Sequence, residues 1–197
     1  MKCLHIITPV KDSIDSTLET VKAIMESDIL VPFTYTVYND FSTEENTHRL
    51  EEAARQWNFR LVNLSDLTDH PSPNYLLVLQ TAQKEAIEAD AGLLIVESDV
   101  IVKKNTLQSL YNGALQQKQC GIAAAVTTDE KGIINYPYLH AKGHENQVYP
   151  EKKHCSFCCS LLTPGLLKAF DFQTLDPSKN WYCLLYTSDA ADSVRCV

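Results

Sequence analysis

The sequence predicts an α/β domain built on a mixed, mainly parallel sheet flanked by helices, and three observations point there. In the first half, short β-prone runs alternate with segments whose apolar residues recur at helical spacing. The run "GLLIV", 92–96, is apolar at every position, as a central parallel strand covered on both faces requires. The chain has 197 residues with 45% hydrophobic content, enough for one full core at about 150 residues per domain. A single domain over 1–182 is expected.

The elements follow in order. Cys3 to Ile7 is apolar and β-prone and is expected to stop at Thr8-Pro9, where proline withdraws a backbone donor. In "DSIDSTLETVKAIMES", Ile14, Leu18, Val21, Ile24 and Met25 mark a helix with Asp12 or Ser13 as N-cap. "FTYTVY" then reads as a strand, "TEENTHRLEEAARQW" as a helix with its acids early, and "FRLVNL" as a strand. "NYLLVLQTAQKEAIEA" reads as a helix and "GLLIVE" as the fourth strand. Four strands alternating with three helices imply crossover connections and parallel pairing.

After residue 100 the rhythm changes. A helix is expected over 105–117, followed by strands at "CGIAAAVTT", "IINYPYL" and "CSFCCSLL", the first two joined by a turn at "DEKG". "TPGLLKAF" has the form of a short helix with Thr163 as N-cap and Pro164 at its first position. The segment "CLLYTSDAAD", Cys183 to Asp192, resembles the in-frame translation of a transposon-based sequencing adapter. Native sequence is therefore expected to end near Tyr182, with 183–197 an artefactual tail.

Composition narrows the function. A net charge of −8 argues against affinity for nucleic acid, which rests on neutralising phosphates with Lys and Arg. An acidic protein that binds a phosphorylated ligand implies a divalent cation between them. The N-terminus "MKCLHIITPVKDS" lacks a signal-peptide pattern, and no stretch reaches the roughly 18 apolar residues of a membrane span. A cytoplasmic protein without a transmembrane segment is expected, with peripheral membrane contact left open. Seven cysteines then read as reduced thiols. "HCSFCCS" offers His154, Cys155, Cys158 and Cys159 to zinc, but there is no second matching pair, and core packing along a strand explains them better.

In an open α/β sheet, ligands lie beyond the carboxyl ends of the strands. Those ends carry Thr8, Pro9, Val10 and Asp12; Asn39, Asp40, Phe41 and Ser42; "SDLTDHPSPN"; and Glu97, Ser98 and Asp99. The first glycine is Gly92. Neither a dinucleotide fingerprint nor a P-loop is possible without glycine where strand one meets helix one, where the turn here is "TPVKDS". Glu97 and Asp99, one residue apart past a buried strand, supply hard oxygen ligands suited to Mg²⁺ or Mn²⁺ and, as strand residues, would face one way. The bland alternative is a solvated strand end paired with a lysine such as Lys103.

"IITPVKDS", "VYNDFS" and "LLIVESDV", in this order on successive strand ends, resemble the nucleotide-sugar half of family 2 glycosyltransferases, which have the GT-A fold. Thr8, Pro9 and Val10 match the family's first turn. Asn39, Asp40, Phe41 and Ser42 match its D-D-G-S-like turn with Asn for the first acid, and Glu97, Ser98 and Asp99 match its D-x-D. The resemblance implies a metal-dependent, inverting, hexosyltransferase-type enzyme using a UDP- or GDP-sugar donor and a saccharide or lipid-linked acceptor. Bacterial surface polysaccharide or glycolipid synthesis is the family's commonest setting. By the same resemblance Asp40 would bond the base, Thr8 and Val10 would line the nucleoside pocket, Asp99 would ligate the metal, and Glu97 would sit by the ribose and sugar or join the metal. Pro9, Asp12, Ser42 and Ser98 complete the expected donor site.

The sequence also departs from the family. Its A-R-N-x-G segment is replaced by "LQTAQKEA", leaving Gln80 or Gln83 as substitutes, and in "HPSPNY" the residues His70, Asn74 and Tyr75 either touch the nucleotide or close a Pro-rich loop. The catalytic base is expected just after Tyr182, where the adapter-like tail begins, so no residue is assigned to it and this sequence is expected to bind donor but to be inactive, or nearly so, in transfer. Two other classes stay open: a nucleotidyltransferase, which usually needs a glycine-rich basic first turn, and a noncatalytic nucleotide-sugar or protein-binding domain.

Overall fold

The computed structural model describes residues 1–135, 138–144, 147–151 and 155–176. Strands β1 (Leu4–Val10), β2 (Phe33–Asn39), β3 (Arg60–Asn63) and β4 (Gly92–Val96) alternate with helices α1 (Ile14–Met25), α2 (Glu44–Trp57) and α3 (Tyr75–Glu88). Helix α4 (Thr106–Gln116), strands β5 (Ile122–Ala124) and β6 (Cys159–Leu162) and helix α5 (Pro164–Ala169) follow. The six strands form one sheet in the order β3-β2-β1-β4-β6-β5. β1 to β4 pair parallel, whereas β6 runs antiparallel to both β4 and β5. The predicted mixed, mainly parallel sheet is borne out.

The sheet separates two apolar layers. Val21 and Ile24 of α1, Leu50 and Ala53 of α2, and Leu107, Leu110 and Ala114 of α4 pack on one face, against Leu4, Ile6, Val37, Leu94 and Val96. Leu76, Leu79, Ala82 and Ala86 of α3, with Leu167 of α5, cover the other, against Ile7, Tyr38, Leu93 and Ile95. β4 is thus buried on both sides. Its four fully buried residues Leu93, Leu94, Ile95 and Val96 each contribute about 1.5–3 kcal/mol by leaving water. Gly92 opens the strand where a Cβ would lie 2.8 Å from Leu161 Cδ1 and would also collide with Met1 Sδ.

Helices α2 and α5 have side-chain caps, whereas α1, α3 and α4 have none. Thr43 and Thr163 accept from the backbone N–H groups of Asn46 and Leu166 and start α2 and α5. Ser13 occupies the cap position of α1 without a side-chain bond, and Asp12, at φ 56°, is engaged elsewhere.

Two strand expectations are corrected. β1 does not stop at Thr8-Pro9 but continues to Val10. Pairing of β1 with β4 ends at Ile7, while pairing with β2 runs on to Val10. Val10 C=O faces β2, accepting from the Asp40 N–H at 2.8 Å. The nitrogen of Pro9 therefore faces the side where the ladder has ended, and no bond is lost. "IINYPYL" is not a strand in its described part: Thr128 and Ile134 make an isolated bridge, and Tyr138–Ala141 is a 3₁₀ turn. β5 is an edge strand, and its partner β6 begins only at Cys159, so the β5/β6 ladder ends near Ala125 and beyond it the described pairing is local, Asn135 N–H donating to Thr127 C=O.

Candidate functional site

The strand order reverses between β1 and β4, and a cleft of about 480 Å³ opens at their carboxyl ends, as expected of a topological switch point. It is lined by Pro9, Val10 and Lys11 after β1, Asp40 after β2, and Glu97, Ser98 and Asp99 after β4. Ser72, Pro73, Tyr75 and Val78 form a second wall, and Ser156 and Phe157 a third. Alternation along the strands explains three of these arrivals, though not Val10, which packs on the other face. Pro9 shares the face of Ile7, Asp40 that of Tyr38, and Glu97 that of Ile95, all on the α3 side of the sheet.

Glu97 and Asp99 are not on a strand. β4 ends at Val96, and a turn closed by Val100 N–H on Glu97 C=O at 3.2 Å carries both acids to the rim. Asp99 is exposed and Glu97 half-buried. Burial pushes the Glu97 carboxyl above its ordinary value; a hydrogen bond from the Cys158 thiol opposes that, and the Asp99 charge adds to it. Two carboxylates on a tight turn, open to a cleft, form a hard-oxygen donor set of the kind Mg²⁺ or Mn²⁺ takes when phosphates supply the remaining ligands. Among the described residues no group of three or more His, Cys, Asp or Glu side chains forms a ligand cluster.

No protein-family model and no curated protein matches the sequence. Solved structures do. The chain superposes along its full length on 58% of S. aureus TarS 1–349, at TM-score 0.66 and 17% identity. TarS 1–349 in complex with UDP-GlcNAc is matched over 86% of this chain and 47% of that one, at TM-score 0.61 and 18% identity. Glucosyl-3-phosphoglycerate synthase from Mycobacterium tuberculosis, in complex with Mn²⁺, UDP and glucosyl-3-phosphoglycerate, matches over 83% of this chain and 57% of that one, at TM-score 0.53 and 14% identity.

The chain has the GT-A fold.

The chain thus spans about half the length of these GT-A structures, from 47% to 58%. Within the GT-A frame, Pro9, Val10, Asp40, Glu97, Ser98 and Asp99 come together as the sequence predicts.

Thr8 does not line the cleft. It lies on the opposite face of β1 with Leu4 and Ile6, fully buried, and its hydroxyl accepts from Tyr35 Oη at 3.0 Å. Asp12 and Ser42 are also outside the lining. Asp12 Oδ1 accepts from Thr43 N at 2.7 Å and Asn46 Nδ2 at 3.1 Å, and Asp12 N–H donates to Ser42 Oγ at 2.9 Å. These bonds, led by the Thr43 N–H, hold the Asp12 carboxyl below its ordinary value. The pair clasps the two loops that follow β1 and β2.

Asp40 is buried beneath the cleft wall and accepts three hydrogen bonds. Oδ2 takes Ser72 Oγ at 2.7 Å and Asn74 N at 2.8 Å, and Oδ1 takes Asn74 Nδ2 at 2.8 Å. Its carboxylate therefore shapes the 70–74 loop, so that Ser72, Pro73 and Tyr75 reach the cleft. Of the "HPSPNY" candidates, Tyr75 lines the cleft and Asn74 is the buried anchor, while exposed His70 bonds Pro71 O and Thr68 Oγ1 and accepts from Asn74 Nδ2 at its carbonyl, away from the cleft lining.

Gln80 and Gln83 are not substitutes for a phosphate-binding segment. Gln83 is buried, donating to Leu167 O and Phe170 O and accepting from Phe172 N, and Gln80 donates to Phe172 O at 3.4 Å. Both fasten the segment around α5 onto α3. Zinc is also set aside for the described cysteines: Cys159 is buried in the core, its thiol pushed up by burial to about 12, so it stays protonated. His154, and the expected base beside Trp181 and Tyr182, lie outside the described residues.

Sequence reasoning missed Lys11, Ser156 and Phe157. Lys11 directly follows β1 and was legible from position alone. The other two reach the cleft because β6 returns antiparallel beside β4, a pairing with no local sequence signal.

Proposed function

We propose that this chain binds a nucleoside diphosphate sugar in the β1/β4 cleft together with Mg²⁺ or Mn²⁺, and belongs to an enzyme that transfers the sugar to an acceptor hydroxyl. The carrying observation is the convergence of Asp40, Glu97 and Asp99 from three different strand ends on one cleft of a GT-A fold. Among the described lining residues three carboxylates stand against one ammonium, that of Lys11, so a diphosphate is repelled unless a cation offsets the acids. A bound divalent ion would neutralise the diphosphate and stabilise it as leaving group.

The chain's own residues have distinct parts in this reading. Asp99, with Glu97, holds the cation; Lys11 faces the phosphates; and the Asp40-anchored wall of Ser72, Pro73 and Tyr75 flanks the nucleoside. Inversion at the anomeric carbon, a hexose as the transferred sugar and a saccharide or lipid-linked acceptor complete the proposal, with bacterial surface polysaccharide or glycolipid as the destination. The superposing structures in complex with UDP-GlcNAc, and with Mn²⁺ and UDP, support the donor class. The cleft acids among the described residues, Asp40, Glu97 and Asp99, have other parts in this reading, so no described residue is assigned as the base that deprotonates the acceptor.

Calorimetry of UDP and GDP with and without Mn²⁺ tests the reading. Binding of one nucleotide that depends on Mn²⁺ and falls at least about tenfold on Asp99→Ala is expected. Equal, negligible binding with and without the ion would refute it in favour of a domain whose acids merely solvate a strand end.

A further inference from the structure

The three neighbouring cysteines have different surroundings. Cys159 is buried in the layer of α1, α2 and α4, and Cys155 packs toward α3. Cys158 belongs to neither. Val96 pairs with Cys159 across the β4/β6 ladder, and the next rung sets Glu97 opposite Cys158, with the Glu97 N–H donating to Cys158 C=O at 2.9 Å. Side chains directly opposite in an antiparallel pair leave the same face and meet. Cys158 therefore stands beside Glu97, on the face opposite Cys159.

On its other side the thiol meets Ser156. Ser156 Oγ lies 2.9 Å from Cys158 Sγ and accepts from the Cys158 N–H at 3.3 Å. Ser156 is itself held rigidly: its N–H donates to Tyr138 Oη at 3.1 Å, and its C=O accepts from the same hydroxyl at 3.2 Å and from Ser160 Oγ. A buried tyrosine thus fixes the serine, the serine fixes the thiol, and the ladder register sets the thiol beside Glu97.

We propose that Cys158 is a positioning residue for the donor site: its S–H donates to the Glu97 carboxylate and, anchored by Ser156 and Tyr138, aims Glu97 at the cleft beside Asp99. This deepens the nucleotide-sugar reading and rests on it for the ligand. The thiol orients a ligating carboxylate from behind, in the manner of an outer-shell partner, whose loss typically costs about 10–100-fold in metal affinity. A serine at 158 preserves the donor; an alanine removes it while leaving Ser156 and Tyr138 in place.

Two readouts on the intact chain test it. The first needs no ligand: the infrared S–H stretch assigned to Cys158, from the difference between wild type and Cys158→Ser, is expected at lower frequency than that of a free thiol and moves up on Glu97→Ala. The second is Mn²⁺-dependent UDP binding by calorimetry, expected to weaken about tenfold on Cys158→Ala and to be restored by Cys158→Ser, with all variants folded by circular dichroism. An S–H band unmoved by Glu97→Ala overturns the proposal. So does unchanged binding in Cys158→Ala, or failure of the serine to restore it. Wild type that binds no UDP with or without Mn²⁺, yet shows the shifted S–H band, instead refutes the nucleotide-sugar reading and removes the ligand role of Cys158 with it.

Discussion

Asp40→Asn is the substitution whose cost follows most directly from the structure. The Asp40 carboxylate is buried and accepts from Ser72 Oγ, Asn74 N and Asn74 Nδ2. An asparagine must place its NH₂ at one of the two oxygen positions. At Oδ2 it confronts the Asn74 backbone N–H, which cannot turn away; at Oδ1 it confronts Asn74 Nδ2, whose amide also serves His70 O at 3.0 Å. Either orientation leaves a donor against a donor, at about 1–3 kcal/mol for an unsatisfied buried group, and weakens the remaining charge-assisted bonds. A total of about 2–4 kcal/mol lowers the midpoint of thermal unfolding by roughly 4–16 °C in a domain of this size. Ser72→Ala, which removes one bond from a half-buried hydroxyl, costs about 0.5–1.5 kcal/mol. Differential scanning calorimetry distinguishes the two. An Asp40→Asn protein as stable as wild type would refute the assignment of Asp40 as anchor of the cleft wall.

Gly92→Ala forces a methyl against Leu161 and Met1 and is expected to cost about 1–3 kcal/mol by overpacking, read as a lower urea midpoint with unchanged slope. His5 is buried beside Thr34, with Nε2 3.3 Å from Glu85. Burial lowers its pKa, Glu85 opposing and Arg60 adding to the lowering. The unfolded chain therefore takes up that proton first, so stability is full above the free imidazole value of about 6.5 and falls as the pH drops below it. His5→Gln should flatten that acid limb of a stability profile. For Glu97 the sign is opposite: its raised carboxyl pKa makes the folded state the tighter proton binder, so stability falls as pH rises through the window above the ordinary value. Glu97→Gln should thus raise the midpoint of the metal-free protein at neutral pH while weakening Mn²⁺-dependent nucleotide binding.

The alternating half of the fold was legible because each element carries its own period. Leu50 and Ala53 mark the buried stripe of α2, and "GLLIV" is buried at every position. The second half was read less well because pairing there is long-range. β5 keeps three residues of the predicted "CGIAAAVTT", as its length is set by where β6 begins. At the site, period two carried the information. Ile7 and Pro9, Tyr38 and Asp40, and Ile95 and Glu97 share a face, and counting from the core residues would have placed Thr8 on the wrong side for the cleft. Asp12 and Ser42 sit at the correct strand ends, but their bonds to each other and to Thr43 follow from loop geometry, φ 56° at Asp12 included. The Ser156–Cys158 approach to Glu97 depends wholly on an antiparallel return and had no local signal.

The central claim is that the turn bearing Glu97 and Asp99 holds a divalent cation with the diphosphate of a nucleotide. Electron paramagnetic resonance of Mn²⁺ reads this directly, because the six-line signal of the hexaaquo ion is lost from the spectrum when the ion is bound. In the presence of UDP, or of GDP if calorimetry selects it, wild-type protein is predicted to remove the free signal at concentrations where Asp99→Ala leaves it in place. A free signal equal in wild type and Asp99→Ala, at every nucleotide concentration, would contradict the account.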